Sequence, residues 1–116
     1  MKQRILEYLR SLPTRKAIIA GLVFGVLVEM ITCVARFGFH MESTRDTAFL
    51  APFTLGYRIH HGYIGVLILL ALFFLSGKAI RNLAIIIGLS LLMSDMVHHF
   101  IVLWIFTGSP HFDIHY

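Results

Sequence analysis

The chain has 116 residues, of which 58% are hydrophobic and 14% are charged, and its net charge is +4. Its mean hydropathy of +0.81 is too high for a soluble domain of this length. This composition excludes an ordinary soluble enzyme, and the length leaves room for one compact unit. We therefore expect a single-domain, all-α integral membrane protein that crosses the cell inner (plasma) membrane several times.

The first segment, residues 1–13, has the pattern of an amphipathic helix. Ile5, Leu6 and Leu9 recur at helical spacing among basic residues, and Pro13 ends the pattern. The pattern suits a short cytoplasmic helix on the membrane surface, but a basic tail with no further role is the favoured interpretation of this amphipathic segment.

Three apolar windows are long enough to cross a bilayer, which takes about 20 mostly apolar residues per helix. They are residues 17–37, 55–77 and 83–107. Residues 38–54 would then form an outer loop, partly ordered or with an interfacial helix, and residues 108–116 an outer tail. The sequence thus predicts a helical bundle of three transmembrane helices.

The distribution of Lys and Arg predicts the orientation of these spans. Five basic residues precede the first span, and Lys78 and Arg81 separate the second from the third. Only Arg36, Arg45 and Arg58 fall on the opposite side. Because positive residues stay in the cytoplasm, the N-terminus is predicted inside and the C-terminus outside. Anionic membrane lipids account for the basic flank, so no nucleic-acid partner is expected.

A stripe of small and polar residues runs along the first span. Gly21, Gly25, Glu29 and Cys33 recur every four residues, and the two glycines form a GxxxG pair that allows close helix contact. Glu29 is expected to point into the bundle, and we interpret Cys33 as a small buried hydrophobe. Three helices hardly enclose a polar site, so we expect a homo-oligomer, in contact through GxxxG, or a larger membrane complex.

The third span carries ionisable residues where lipid would reject them. Asp95, His98 and His99 stand at helix positions i, i+3 and i+4, within roughly a 100° arc. A charged side chain at the bilayer centre costs at least about 2.5 kcal/mol, so such residues mark a functional site by default.

The second span opens on His60 and His61, with Gly65 leaving space for a close neighbour. Counted along the helices, these histidines, Glu29 and the third-span group reach overlapping depths in the outer half of the membrane. We therefore expect one site built from all three spans. Its predicted metal ligands are His60, His61, Asp95, His98 and His99, and its predicted catalytic base is Glu29.

Nitrogen and oxygen ligands without an essential thiolate suit a transition metal such as zinc, iron or copper. A bound divalent ion lowers the pKa of its water toward about 7. The leading hypothesis is thus a metal-dependent enzyme, a hydrolase or an oxidoreductase, that acts on a lipid or other membrane-resident substrate. The final histidines, His111 and His115, belong to a tail that would cover the site or add a ligand.

Two other interpretations of the same residues stay open. His61 and His98, on antiparallel helices, could hold haem b as two axial ligands for electron transfer. Alternatively, the buried groups could be a structural or proton-relay network in a non-catalytic accessory subunit of a larger complex.

The segment Ile59-His60-His61, followed by Gly65 and by Asp95 in a later span, resembles small prokaryotic membrane proteins of uncharacterised function. The resemblance covers the second and third spans. It implies no particular activity.

Overall fold

The computed structural model describes residues 1–115, apart from the side chains of residues 43 and 44. Within this part of the chain the fold is all-helical, with no strand beyond an isolated bridge between Tyr57 and His115. The helices are α1 (Lys2–Ser11), α2 (Thr14–Gly38), α3 (Ser43–Asp46), α4 (His61–Phe73) and α5 (Lys78–Thr107). The predicted all-α helical bundle is confirmed.

Helix α5 is the centre of the bundle. Helices α2 and α4 both pack along it and, in the described residues, have no backbone contact with each other. A Cβ atom at Gly21 would lie 2.9 Å from Leu89 Cβ, and one at Gly25 would lie 3.0 Å from Met93 Cβ. The GxxxG pair is therefore used inside the chain, where it packs against α5.

The crossing of α4 and α5 is equally close. A Cβ atom at Gly65 would lie 2.6 Å from the carbonyl oxygen of Gly88 and 2.8 Å from the backbone nitrogen of Leu92. Backbone atoms cannot move aside as a side-chain end can, so only glycine fits at position 65. The space predicted beside Gly65 is thus filled by α5.

Helix α4 is shorter than the predicted span 55–77. The chain has left-handed backbone at Leu55 (φ 54°) and Gly56 (φ 82°), and it stays extended at His60 (φ −76°, ψ 139°). The segment before α4 pairs instead with the tail, since the backbone N–H of Arg58 donates to Ile114 O at 2.8 Å. At the other end, the guanidinium of Arg81 donates to the carbonyl oxygens of Leu72, in the last turn of α4, and Leu75, just beyond it. Helix α5 correspondingly begins five residues before the predicted third span.

The N-terminal helix is docked on α5. Asn82, whose side chain is almost fully buried, donates hydrogen bonds of 2.8 Å to the carbonyl oxygens of both Leu9 and Leu12. These carbonyls stand at the end of α1, where helical partners run out. Residues 2–11 are thus helical and packed against α5, a role that the favoured interpretation as a basic tail did not anticipate.

Substituting Gly65→Ala tests the close crossing of α4 and α5. The new methyl group would force the two backbones apart, and we expect a loss of about 1–3 kcal/mol in the free energy of unfolding. The matched control is Gly38→Ala, because a Cβ there would lie 3.7 Å from Val34 Cγ1, an ordinary contact. Chemical denaturation of both variants measures the difference, and equal stabilities would contradict the crossing.

Candidate metal centre

Asp95 is buried between α4 and α5, with 1% of its surface exposed. Its carboxylate fits there because residue 62 is glycine: a Cβ at Gly62 would lie 2.5 Å from Asp95 Oδ2. Among the residues that the structure describes, neither oxygen of this carboxylate has a hydrogen-bond partner. A buried polar atom without a partner costs about 1–3 kcal/mol, and a charged one costs more. A group among its neighbours is therefore expected to compensate this carboxylate.

Three imidazoles face the same oxygen of this carboxylate. Asp95 Oδ1 lies 3.4 Å from His61 Nδ1, 3.7 Å from His60 Nδ1 and 3.7 Å from His99 Nε2. His60, Asp95 and His99 are all buried, and their facing atoms lie within 4.8 Å of one another. The structure therefore brings together four of the five predicted ligands.

The other nitrogen of two of these rings is bound to a backbone carbonyl. His60 Nε2 lies 2.9 Å from the carbonyl oxygen of Asp113, and His99 Nδ1 lies 2.8 Å from that of Pro110. A carbonyl only accepts, so each of these nitrogens carries the proton. In the neutral rings, His60 Nδ1 and His99 Nε2 then point unprotonated lone pairs at Asp95.

Lone pairs that converge in this way repel one another unless a cation lies between them. Ligand bonds of about 2.0–2.2 Å in a tetrahedron place neighbouring ligand atoms about 3.3–3.6 Å apart. The three separations from Asp95 Oδ1, 3.4 to 3.7 Å, are close to that spacing and too long for good hydrogen bonds. Around a metal, too, a ligand histidine usually binds a backbone carbonyl or another acceptor through its second ring nitrogen. These residues fit a transition-metal ion.

The C-terminal tail covers this group. Phe112 stacks on the ring of His60 with centroids 4.1 Å apart and planes at 14°, and Asp113 forms a 3.2 Å ion pair with buried Arg58. The tail supplies carbonyls and an aromatic ring to the group. Its own histidines stay outside: His111 lines the adjoining cavity and the ring of His115 lies against Tyr57.

Glu29 and His98 form a second group beside the first. Glu29 Oε1 accepts hydrogen bonds from His98 Nδ1 at 3.0 Å and from Cys33 Sγ at 3.1 Å, and Thr32 Oγ1 lies 3.0 Å from Oε2. Glu29 is buried and directed into the bundle, as its stripe predicts. Cys33 is a hydrogen-bond donor here, which its interpretation as a plain hydrophobe missed.

The predicted single site is therefore divided. Adjacent residues of a helix point about 100° apart, and α5 lies between two neighbours, so His98 turns to α2 and His99 to α4 and the tail. A π-helical turn begins at His98 and extends to Leu103, and such turns are frequent at functional sites. The expectation that Asp95, His98 and His99 point the same way holds for Asp95 and His99 only.

A cavity of about 340 Å³ adjoins both groups. Asp95 and four histidines line it from the bundle: His60, His61, His98 and His99. The outer loop forms the opposite wall, where Arg36 pairs with Glu42 at 3.5 Å. The Arg45 guanidinium, hydrogen bonded to Asp46, lowers the pKa of that carboxyl below its ordinary value. Asp46 is thus an ionised residue of the cavity wall.

No protein-family model, curated protein or solved structure matches this chain. Its function therefore has to be inferred from the geometry of the described residues. The feature that stands out is the unpartnered carboxylate of Asp95 among imidazole lone pairs.

The tautomers of His60 and His99 test this geometry. In ¹⁵N-labelled protein, long-range ¹H–¹⁵N correlations should show the proton on Nε2 of His60 and on Nδ1 of His99. Deleting residues 110–116 removes both acceptor carbonyls, and we expect the Nδ1–H form of His99 to be lost. Asp113→Asn keeps the backbone carbonyl and should preserve both forms. Unchanged tautomers in the deleted chain would show that the tail does not set them.

Proposed function

We propose that the chain is a multi-pass inner-membrane protein with α2, α4 and α5 in the bilayer. Helices α2 and α5 have 25 and 30 residues, and only 22% and 33% of their most apolar windows are buried. The core helix of a soluble protein would bury most of that surface. Helix α4 spans about 20 Å, less than the roughly 30 Å hydrocarbon core. The segment before α4 and the tail would span the rest of the bilayer. Their backbones are joined by the hydrogen bond from Arg58 N–H to Ile114 O, and backbone groups in lipid need such internal partners.

The proposed orientation, N-terminus inside and C-terminus outside, follows from the basic residues near α1 and at the start of α5. An alkaline phosphatase reporter, which is active only outside the cytoplasm, should be active when fused to the C-terminus. The same reporter fused after Gly77, between α4 and α5, should be inactive. The reverse pattern would contradict the orientation.

We propose that His60, Asp95 and His99 hold a transition-metal ion, either zinc, iron or copper. The observation that carries this proposal is the buried Asp95 carboxylate, unpartnered in the described structure and faced by imidazole lone pairs at ligand spacing. Three protein ligands with a further position open is the arrangement of catalytic metal sites. His61 lies beside this group: its Nδ1 is 3.4 Å from Asp95 Oδ1, its Nε2 is 3.2 Å from Ser94 Oγ, and its side chain is 35% exposed, so it would border the open position.

The bound ion would supply Lewis acidity or redox chemistry. The chain's own contribution is a proton acceptor: Glu29 accepts the Nδ1 proton of His98, which leaves Nε2 unprotonated in the neutral ring. His98 lines the cavity, whereas Glu29 lies behind it. We therefore propose His98 as the general base and Glu29, the residue predicted for that role, as the group that orients it.

We propose a lipid or other membrane-resident molecule as the substrate. The cavity lies near the end of α5 that is proposed to be outside, and most of the helical surface around it is apolar and exposed. A substrate dissolved in the outer leaflet would reach the cavity without crossing water. Membrane lipids are thus the proposed partners, together with further copies of the chain or a larger complex that covers the open bundle.

The structure gives less support to haem b. Axial ligation by His61 and His98 needs a flat slot between α4 and α5, and these helices are in backbone contact at Gly65, one turn below His61. His98 Nδ1 is also engaged by Glu29.

An accessory subunit with a proton-relay network is the second candidate. The observation that favours it is the hydrogen-bonded group of Glu29, Cys33 and His98, whose separations of 3.0 and 3.1 Å are those of hydrogen bonds. A proton on His61, 3.4 Å from Asp95, would then balance the buried carboxylate in place of a metal.

Metal analysis of the untagged protein, purified in mild detergent without chelator, tests the leading proposal. We expect about one transition-metal ion per chain, reduced at least tenfold by His99→Ala or Asp95→Asn. Glu29→Gln should keep the metal because Glu29 has no place in the Asp95 group. Zinc would indicate hydrolysis, and iron or copper would indicate redox chemistry.

The matched control is His40→Asn. His40 is exposed in the outer loop with left-handed backbone (φ 54°), a conformation that asparagine also accepts. Its metal content should equal that of the unchanged protein. A folded, metal-free protein that purifies with a partner would replace the leading proposal with the accessory subunit, and a Soret absorption band would replace it with haem.

A further inference from the structure

A second cavity lies at the other end of the molecule, between α1 and α2, with a volume of about 470 Å³. Helix α1 contributes one exposed aromatic residue to it, and α2 contributes a lysine followed by apolar residues. The lining residues are Tyr8, Leu12, Lys16, Ile19, Ala20, Val23, Phe24 and Ile86. We call this cavity the N-terminal groove.

The N-terminal groove is a built feature of the fold. The two hydrogen bonds from Asn82 fix the end of α1 on α5, and the buried side chains of Leu9 and Leu12 pack beneath it. Pro13, extended at φ −61° and ψ 143°, then turns the chain into α2. The two walls of the groove are therefore held at a fixed angle.

The groove has polar residues at one end and apolar residues along the rest, as the headgroup and acyl chain of a phospholipid would require. Tyr8 and Lys16 lie at the end where the chain enters the proposed bilayer, and Ile19, Val23 and Phe24 follow toward its centre. Lys16 and Phe24 are eight positions apart, which is about 12 Å along the helix. One leaflet of the hydrocarbon core is about 15 Å deep. The groove thus has the length of one leaflet, with a cation at the headgroup level.

The charge around the groove selects an anionic headgroup. Residues 1–16 contain five Lys and Arg residues and a single acidic residue, Glu7. We propose that the N-terminal groove binds one anionic phospholipid of the leaflet that faces the N-terminus, with its phosphate at Lys16 and an acyl chain along α2. This inference rests on the membrane placement proposed above and is independent of the metal site.

Native mass spectrometry of the full-length protein with added phosphatidylglycerol or phosphatidylcholine tests the groove. Lys16→Gln should weaken phosphatidylglycerol binding about fivefold, the effect of one interfacial cation, and weaken phosphatidylcholine less, because the choline cation offsets the charge of the same phosphate. Ala20→Trp should fill the groove and weaken both lipids. The matched control is Lys78→Gln, which removes a cation from the same proposed membrane face outside the groove and should change neither.

Equal losses in Lys16→Gln and Lys78→Gln would show diffuse attraction by net charge and overturn the site. Unchanged binding in a folded Ala20→Trp protein would also overturn it. Lys16→Gln alters one exposed side chain, so its result decides the matter even if Ala20→Trp does not fold. Flotation of the unchanged protein with lipid vesicles separates the two proposals. A protein that floats but binds no lipid selectively would contradict the lipid site alone. A protein that does not float would contradict the membrane placement.

Discussion

The buried carboxylate of Asp95 is the constraint on which one half of the molecule depends, the half that contains the C-terminal end of α5 and the tail. An ionised carboxylate removed from water costs several kcal/mol unless an opposite charge compensates it. Gly62 of α4 has no side chain and so leaves room for the Asp95 carboxylate of α5. His60, His61 and His99 surround this carboxylate. A cation at the centre of this group, either a metal ion or a proton on one ring, would compensate the carboxylate, and this makes the site a candidate for function.

The tail and the site depend on each other through the same two rings. The carbonyls of Pro110 and Asp113 select the tautomers that direct lone pairs at Asp95, while Phe112 stacks on one of those rings. A cation that favours these tautomers must in turn favour the closed tail, because coupling between two binding events is reciprocal. The ion pair of Arg58 with Asp113 adds a third link that does not involve the cation. The tail is thus part of the hydrogen-bond network of the site rather than a separate lid.

Sequence reasoning found the helices and most of the residues that surround Asp95 because both depend on short-range rules. Helical spacing placed Glu29 inside the bundle and Asp95 beside His99. It failed where tertiary structure intervened: the start of α4 depends on left-handed backbone at Leu55 and Gly56, and on pairing with a tail more than fifty residues away. It also grouped His98 with His99. Their side chains point about 100° apart, and this difference separates them only because α5 packs between α2 and α4, which the sequence does not show. The hydrogen bonds to the backbone carbonyls of Pro110 and Asp113 could not be predicted, because every residue has such a carbonyl whatever its side chain.

The division of the polar residues into two groups has a chemical consequence. Around Glu29 the separations are those of hydrogen bonds, with protons between the heavy atoms, whereas around Asp95 they are longer and lack those protons. One group is thus suited to holding protons and the other to holding a cation. Because His98 and His99 are consecutive residues of α5, the two groups border the same cavity from one rigid helix. A molecule in that cavity would meet a proton acceptor and a cation site together, an arrangement with a direct use in catalysis that a purely structural network does not require.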